Sequence, residues 1–257
     1  MNSGTLKQEI RRASLAFAQT RNLPIDTSHS SAIIFQNLFD NFHPESFASI
    51  NNPDRPKWLE RTKKPHQNVP STLEMQSSNS SDALLMSIFC HPDIQRWKGI
   101  KNLIEVPIDS ITFGFPAKVR INGGGSDSTE IDMAIPGVFC EAKLTESDFT
   151  QKEVEVVERY DSLQRTFHVE ALPRVGNSYD NYQIIRNLLA SVEHDQKHIL
   201  FCDERRPDLV RRYMTTVLCL RDIKHRKNCR VVFWQELVSA CGGSLRDWIE
   251  EKYGMGR

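Results

Sequence analysis

The chain has 257 residues, 39% hydrophobic and 26% charged, a length that holds one large or two small domains with a sizeable core. Its 33 basic and 33 acidic side chains leave no formal net charge, which argues against strong non-specific affinity for nucleic acid but leaves room for a local basic patch. No apolar run is long enough to span a bilayer, and the N-terminus lacks the charged, apolar and small-residue segments of a signal peptide, so a soluble cytoplasmic protein is expected.

Residues 1 to 70 are rich in Asn, Ser, Pro and His, with short amphipathic pieces at Leu6 to Ala18 and Ser31 to Phe39 and a proline-punctuated run from Pro44 to Pro70. This reads as a loosely organised arm or small helical subdomain ahead of a main domain at 71–257. Ser80-Ser81-Asp82 offers helix N-caps, and Leu84, Leu85, Ile88 and Phe89 repeat at helical spacing until His91-Pro92 ends the element. Strands are expected near Leu103 to Ile108 and Ile111 to Ile121, followed by a turn at Gly123-Gly124-Gly125 and a hairpin from Thr129 to Leu144. A helix is expected within Asp148 to Phe167, carrying Val154, Val157, Tyr160 and Leu163, and another from Tyr182 to Val192 with Ile184, Ile185, Leu188, Leu189 and Val192 as its buried stripe. His198 to Cys202, Pro207 to Cys219 and Arg230 to Trp234 then read as strand, helix and strand, a β-α-β unit that implies a parallel pair.

The hairpin is the most informative segment. Side chains two apart on a strand share a face, so Glu141 and Lys143 point one way while Cys140, Ala142 and Leu144 point to the core. A loop centred on Pro136-Gly137 pairs Ala134 with Phe139, Asp132 with Glu141, and Glu130 with Lys143. Facing carboxylates repel unless a cation lies between them, a role for Mg²⁺ or Mn²⁺. An ammonium beside them can orient a water and offset charge on a phosphate oxygen. The alternative is an ordinary hairpin with a salt-bridged outer face. A second Glu-x-Lys, Glu250-Glu251-Lys252, serves as a control: Leu245, Trp248 and Ile249 place it on a helix whose charges are expected to face solvent.

Other chemistries find less support. His194 and His198 have a spacing zinc accepts, but a helix end is expected between them; Gly-x-Ser-x-Gly is absent, and the triple glycine lacks the Lys-Ser/Thr ending of a phosphate loop. The six cysteines have no Cys-x-x-Cys spacing and read as buried thiols of a reducing compartment. The best basic cluster runs from Arg205-Arg206 through Arg211-Arg212 to Arg221, Lys224, His225, Arg226, Lys227 and Arg230, and reads either as a phosphate-contacting surface or as a solvated helix and loop.

Asp132 followed by Glu141-Ala142-Lys143 resembles the signature of the PD-(D/E)XK nuclease superfamily, with Ile131 where the family name puts proline. The resemblance covers roughly residues 70 to 240 and is closest to bacterial restriction-type endonucleases. It implies a restriction-endonuclease-like α/β/α sandwich with a mixed central sheet, and a metal-dependent deoxyribonuclease in which Asp132, Glu141 and the Ala142 carbonyl hold Mg²⁺ or Mn²⁺ and Lys143 positions a water. It further implies an acid from the first helix, for which Glu74 is the candidate, and a polar residue from the helix after the hairpin, for which Gln183 is chosen over Arg186 and Asn187. Arg186 is retained as a phosphate contact. DNA is the implied partner, with a homodimer or a partner protein also open; a catalytically inactive domain of the same fold and a hydrolase of small phosphate compounds are the competing readings.

Overall fold

The computed structural model describes residues 1–127 and 130–256, so Thr129, where the hairpin is predicted to start, lies outside the described residues. Helices α1 (Ser3–Thr20), α2 (Pro44–Ile50), α3 (Pro56–Thr62), α4 (Ser81–Phe89) and α5 (Lys98–Ile104) precede the central sheet. Its strands are β1 (Thr112–Pro116), β2 (Glu130–Ile135), β3 (Val138–Ala142), β4 (Lys197–Cys202) and β5 (Cys229–Phe233). Helix α6 (Tyr182–Glu193) falls between β3 and β4, α7 (Pro207–Leu218) between β4 and β5, and α8 (Trp234–Ala240) and α9 (Gly243–Tyr253) follow.

The strands lie side by side in chain order, β1 to β5. Pairing is antiparallel from β1 to β3 and parallel from β3 to β5. Helices cover both faces. Ala83, Leu84, Leu85, Ile88 and Phe89 of α4 pack with Met133, Cys140, Ala142 and Phe201, while Ile184, Ile185, Leu188 and Leu189 of α6 and Leu209, Tyr213 and Val217 of α7 pack with Ala134, Phe139 and Leu200. The result is the expected α/β/α sandwich around a mixed sheet. Helix α4 is buried on all sides, as a nearly unbroken apolar helix must be, and Ser80 caps it by accepting from the Ala83 N–H at 3.1 Å.

Three expectations are corrected. The segment expected as a strand at Leu103 to Ile108 instead begins inside α5, which stops where Glu105 enters the left-handed region (φ 60°) and donates its N–H to the Lys101 carbonyl at 2.8 Å. No single helix fills Asp148 to Phe167. Short helices at Val154–Val157 and Leu163–Thr166 are separated where Asp161 N–H bonds the Arg120 carbonyl at 3.1 Å and the Arg159 carbonyl accepts from Asn122 N–H at 2.7 Å, so bonds to a neighbouring loop replace helical ones. The division at residue 70 is absent from the packing: Leu6, Ile10, Phe17, Ile33, Phe35, Phe42 and Ile50 are buried in the same apolar cluster as α4 and the sheet.

Gly114 shapes the site end of the sheet. Its φ of +61° reverses the normal alternation, so Phe113 joins the core on the α4 face while Phe115 packs on the other. Opposite it the same switch occurs, with Met133 in one core and Ile131 in the other and Asp132 between them. A Cβ at Gly114 would lie 2.5 Å from Glu130 Oε1 and 2.9 Å from Arg61 Nη1, so a side chain there would displace that ion pair as well as strain a backbone at positive φ.

Candidate active site

Asp132 sits where the hairpin ladder ends. Backbone pairing runs Ile135 with Val138, Ala134 with Phe139 and Met133 with Cys140, as the hairpin register predicts. One step further, Asp132 Oδ2 accepts the Ala142 N–H at 2.9 Å, so a side chain takes the place of the next strand contact. That bond fixes the carboxylate beside Glu141-Ala142-Lys143.

Glu141 is 2% exposed and held at both oxygens, with a lone pair on each left over: Oε1 lies 2.9 Å from Lys143 Nζ and Oε2 accepts from Asn187 Nδ2 at 2.6 Å. Lys143 is pinned at its backbone, donating N–H to the Phe201 carbonyl at 2.8 Å and accepting Trp234 Nε1–H at 2.8 Å. Its ammonium also donates to Gln183 Oε1 at 3.0 Å. Helix α6 therefore brings two polar residues one turn apart, Gln183 and Asn187, onto the Glu-x-Lys pair. Asn187 is fully buried and not on a solvent-facing side as its position off the apolar stripe suggests. Its bond to a charged group leads us to expect that Asn187→Ala costs about 1.5–3 kcal/mol in urea denaturation, whereas the half-buried Gln183, changed to Ala, costs less.

The third acid is Asp82, in the first turn of α4 and 6% exposed. It forms an ion pair with Arg61 of α3 at 2.7 Å, and Arg61 reaches Glu130 at 2.6 Å. Glu130 is therefore paired to Arg61 and not to Lys143 as the register suggested, because the twist at Gly114 turns it away. Glu74 lies on a 3₁₀ turn ahead of the helix, ion-paired with Lys64 at 3.0 Å. The helix acid that faces Asp132 is thus Asp82. Glu146 ties the hairpin to the same helix: it accepts the Leu144 and Thr145 N–H groups at 2.7 and 2.9 Å and the Ser81 hydroxyl at 2.8 Å.

The electrostatics follow from three buried acids with cations on two sides. Burial, then the charges of Glu141 and Asp82, push the Asp132 carboxyl well above the usual carboxylate range. Burial lifts Asp82 to about 6 although Arg61 opposes it. Burial also raises Glu141, but Lys143 outweighs it and holds that carboxyl below its ordinary value. Burial works against the Lys143 ammonium too, and Glu141 overcomes it, so the lysine stays protonated beyond its normal range. The site is short of positive charge at Asp132. Carboxylate and carbonyl oxygens are hard donors of the kind Mg²⁺ and Mn²⁺ take, and an acid that cannot stay ionised beside two others is what such a cation would relieve.

The arginines proposed for phosphate divide. Arg206 is fully buried, with Asp208 at 2.8 Å and the Glu146 carbonyl at 2.7 Å, and so holds the fold together. Arg205 is neutralised by Asp203 at 2.7 Å and Glu9 at 2.9 Å, and Arg212 by Asp180 at 2.7 Å. These three do not form a free basic face. Arg211 is exposed and without an acid partner among the described residues. Arg186 lies over the Tyr182 ring, 5.5 Å from its centroid, and its charge reaches Glu141.

Sequence reasoning misses Asp82 and Arg61 as parts of the site and names Asn187 only to set it behind Gln183. Asp82 was seen only as a cap, which Ser80 supplies; Asn187 stands four residues after Gln183, a visible polar pair on one helix side; Arg61 gave no local signal.

Among the described residues no helix is long and apolar enough to cross a membrane. A search of curated proteins and of solved structures gave no match. A family model described as "Restriction Endonuclease associating with ARP" matches residues 12–254, nearly the whole described chain, and the protein belongs to that restriction endonuclease family.

Proposed function

We propose that the protein hydrolyses phosphodiester bonds of DNA with Mg²⁺ or Mn²⁺ held by Asp82, Asp132, Glu141 and the Ala142 carbonyl. The observation that carries this reading is the buried Glu141–Lys143 pair at 2.9 Å standing beside an acid, Asp132, that needs a further cation. When bound, the metal supplies Lewis-acid chemistry, offsetting phosphate charge and lowering the pKa of water. Lys143 orients the attacking water and stabilises charge that develops on the phosphate oxygen. Gln183 fixes the ammonium, Asn187 fixes Glu141, and the Ala142 N–H fixes Asp132, so each group is held before substrate arrives. Arg61 offsets the charge of Asp82 through their ion pair. Arg186 and Arg211 are the cations we assign to phosphate contacts. The family's description supports ARP as a protein partner, and six free cysteines, five of them buried, suit a cytoplasmic setting.

The test is cleavage of plasmid and linear DNA by the purified chain with Mg²⁺, Mn²⁺ or EDTA, beside folded Asp132→Ala and Lys143→Ala proteins. Metal-dependent cutting lost in both variants is the expected result. Cutting that survives either substitution rules out this site, and salt-dependent DNA binding without cutting, indifferent to EDTA and to Lys143→Ala, would favour the inactive binding domain.

A further inference from the structure

Away from the hairpin, His43, Glu45 and His91 bring one ligating atom each within 4.8 Å of one another. His43 is the N-cap residue of α2 and His91 follows α4, so the cluster joins the start of one helix to the end of the other. Both imidazoles are 4% exposed, and neither His43 Nδ1 nor His91 Nε2 has a hydrogen-bond partner among the described residues. Two buried ring nitrogens without hydrogen-bond partners in one cluster need an explanation, because buried polar atoms are nearly always paired. Glu45 Oε2 stands 3.6 Å from His91 Nε2, and its carboxylate is exposed and free to turn. Ligands around a tetrahedral zinc ion lie roughly 3.4 Å apart, from metal–ligand bonds of about 2.1 Å, so only a small closing movement is required. Burial depresses the proton affinity of both rings, and each also feels a neighbouring ionisable group, which favours the neutral form that binds metals.

We propose that His43, Glu45 and His91 form a second metal site, selective for a borderline ion such as Zn²⁺, that clamps α2 to the far end of the helix presenting Asp82. The donor set of two nitrogens and one carboxylate differs from the all-oxygen set at the hairpin, so the two sites prefer different ions. Trp97 lies tilted against His91 with centroids 4.7 Å apart, and Trp248 meets His43 edge-on at 5.9 Å, so aromatic rings hold both imidazoles in place. His91 Nδ1 accepts the Asp93 N–H at 3.2 Å, which puts the proton of the neutral ring on Nε2, on the side of Glu45; coordination through Nε2 moves that proton to Nδ1 and requires the Asp93 N–H to turn to another acceptor.

The test is titration of the metal-free chain with Zn²⁺ in excess Mg²⁺, and with Co²⁺ as a spectroscopic probe. Wild type and Asp132→Asn are each expected to bind one Zn²⁺, to show Co²⁺ absorption bands of a low-coordinate N,O site, and to lose tryptophan fluorescence on Co²⁺ addition. Glu45→Gln is expected to weaken Zn²⁺ at least about tenfold, the scale on which even outer partners of a metal act, and His91→Gln to abolish binding. Because Glu45 is exposed, its variant decides the matter if the histidine variant does not fold. No Zn²⁺ binding by wild type, unchanged binding by Glu45→Gln, or loss of binding in Asp132→Asn would overturn the assignment, whatever the outcome of the nuclease assay.

Discussion

Lys143→Met is expected to lower the rate of DNA cleavage between about a hundredfold and ten-thousandfold, the range for removing a positioned proton carrier or charge-stabilising donor. Methionine fills much the same buried volume, so the loss reports on the ammonium and not on a cavity. The same substitution leaves Glu141 buried with only Asn187 to hold it. In EDTA the variant should therefore lose about 3 kcal/mol of stability, as when one partner of a buried ion pair is deleted. A divalent cation restores part of that stability by replacing the missing charge, yet cannot restore cutting. Urea denaturation and plasmid nicking on the same preparations separate the two effects. Nicking at the wild-type rate would remove Lys143 from the reaction.

The second large effect concerns pH and metal together. Asp82 and Asp132 both have folded-state carboxyls raised above their unfolded values. Above the ordinary carboxylate range the unfolded chain has released protons that the folded chain still holds, so stability falls as pH rises. For Asp82 the fall runs from near pH 4 to about 6, with a size on the order of 3 kcal/mol at about 1.4 kcal/mol per unit; Asp132 extends it to higher pH. This is the reverse of the usual behaviour of a salt-bridged carboxylate. Asp132→Asn keeps an oxygen to accept the Ala142 N–H but removes the charge, so in EDTA it should be more stable than wild type at pH 8 and flatter across the range. Mg²⁺ should stabilise wild type increasingly with pH and leave the variant unmoved. Denaturation midpoints from pH 4.5 to 8, with EDTA and with Mg²⁺, check this; a variant that is less stable than wild type in EDTA at pH 8 would show that Asp132 is already well satisfied without metal.

The parts of the site that were legible share one property: they lie within a few residues of one another in the hairpin, where period-two alternation determines facing and the turn determines register. Asp132, Glu141 and Lys143 are of this kind, and the long amphipathic α6 brought Gln183 with them. Asp82 and Arg61 join the site only through the packing of α3 and α4 against the sheet, which no local pattern encodes. The arginine cluster misled for a traceable reason. Arg205 and Arg206 have their acid partners two residues away, at Asp203 and Asp208, so the sequence held the neutralising charges beside the basic ones. Lys252 makes the opposite point. Its Glu-x-Lys lies on a helix as expected, but the lysine is fully buried, its Nζ donating to the Asn41 carbonyl at 2.5 Å and lying 4.3 Å from the Trp248 ring centroid, and burial lowers its proton affinity well below the usual lysine range. A charged residue in a helical stripe need not be on the wet side. The amphipathic piece at Leu6 to Ala18 is legible, but the polar composition of residues 1 to 70 gives no sign that Leu6, Ile10 and Phe17 are buried in the same core as the sheet.

The five strands stand in the sheet in the order in which they are synthesised, which has a consequence for assembly on the ribosome. Each new strand can add to an edge already made, and Asp132 can meet Glu141 as soon as the hairpin emerges, across a short stretch of chain. Helix α1 cannot finish so early. Its Phe17 packs edge-on against Trp248 of α9 at 5.6 Å, and Ser14 donates to the Lys252 carbonyl at 2.9 Å, so its binding partner is made only after all five strands. Until α9 has been made, the stripe of α1 that packs on it stays uncovered, and that interval, rather than the formation of the hairpin, is when a nascent chain would most depend on chaperones.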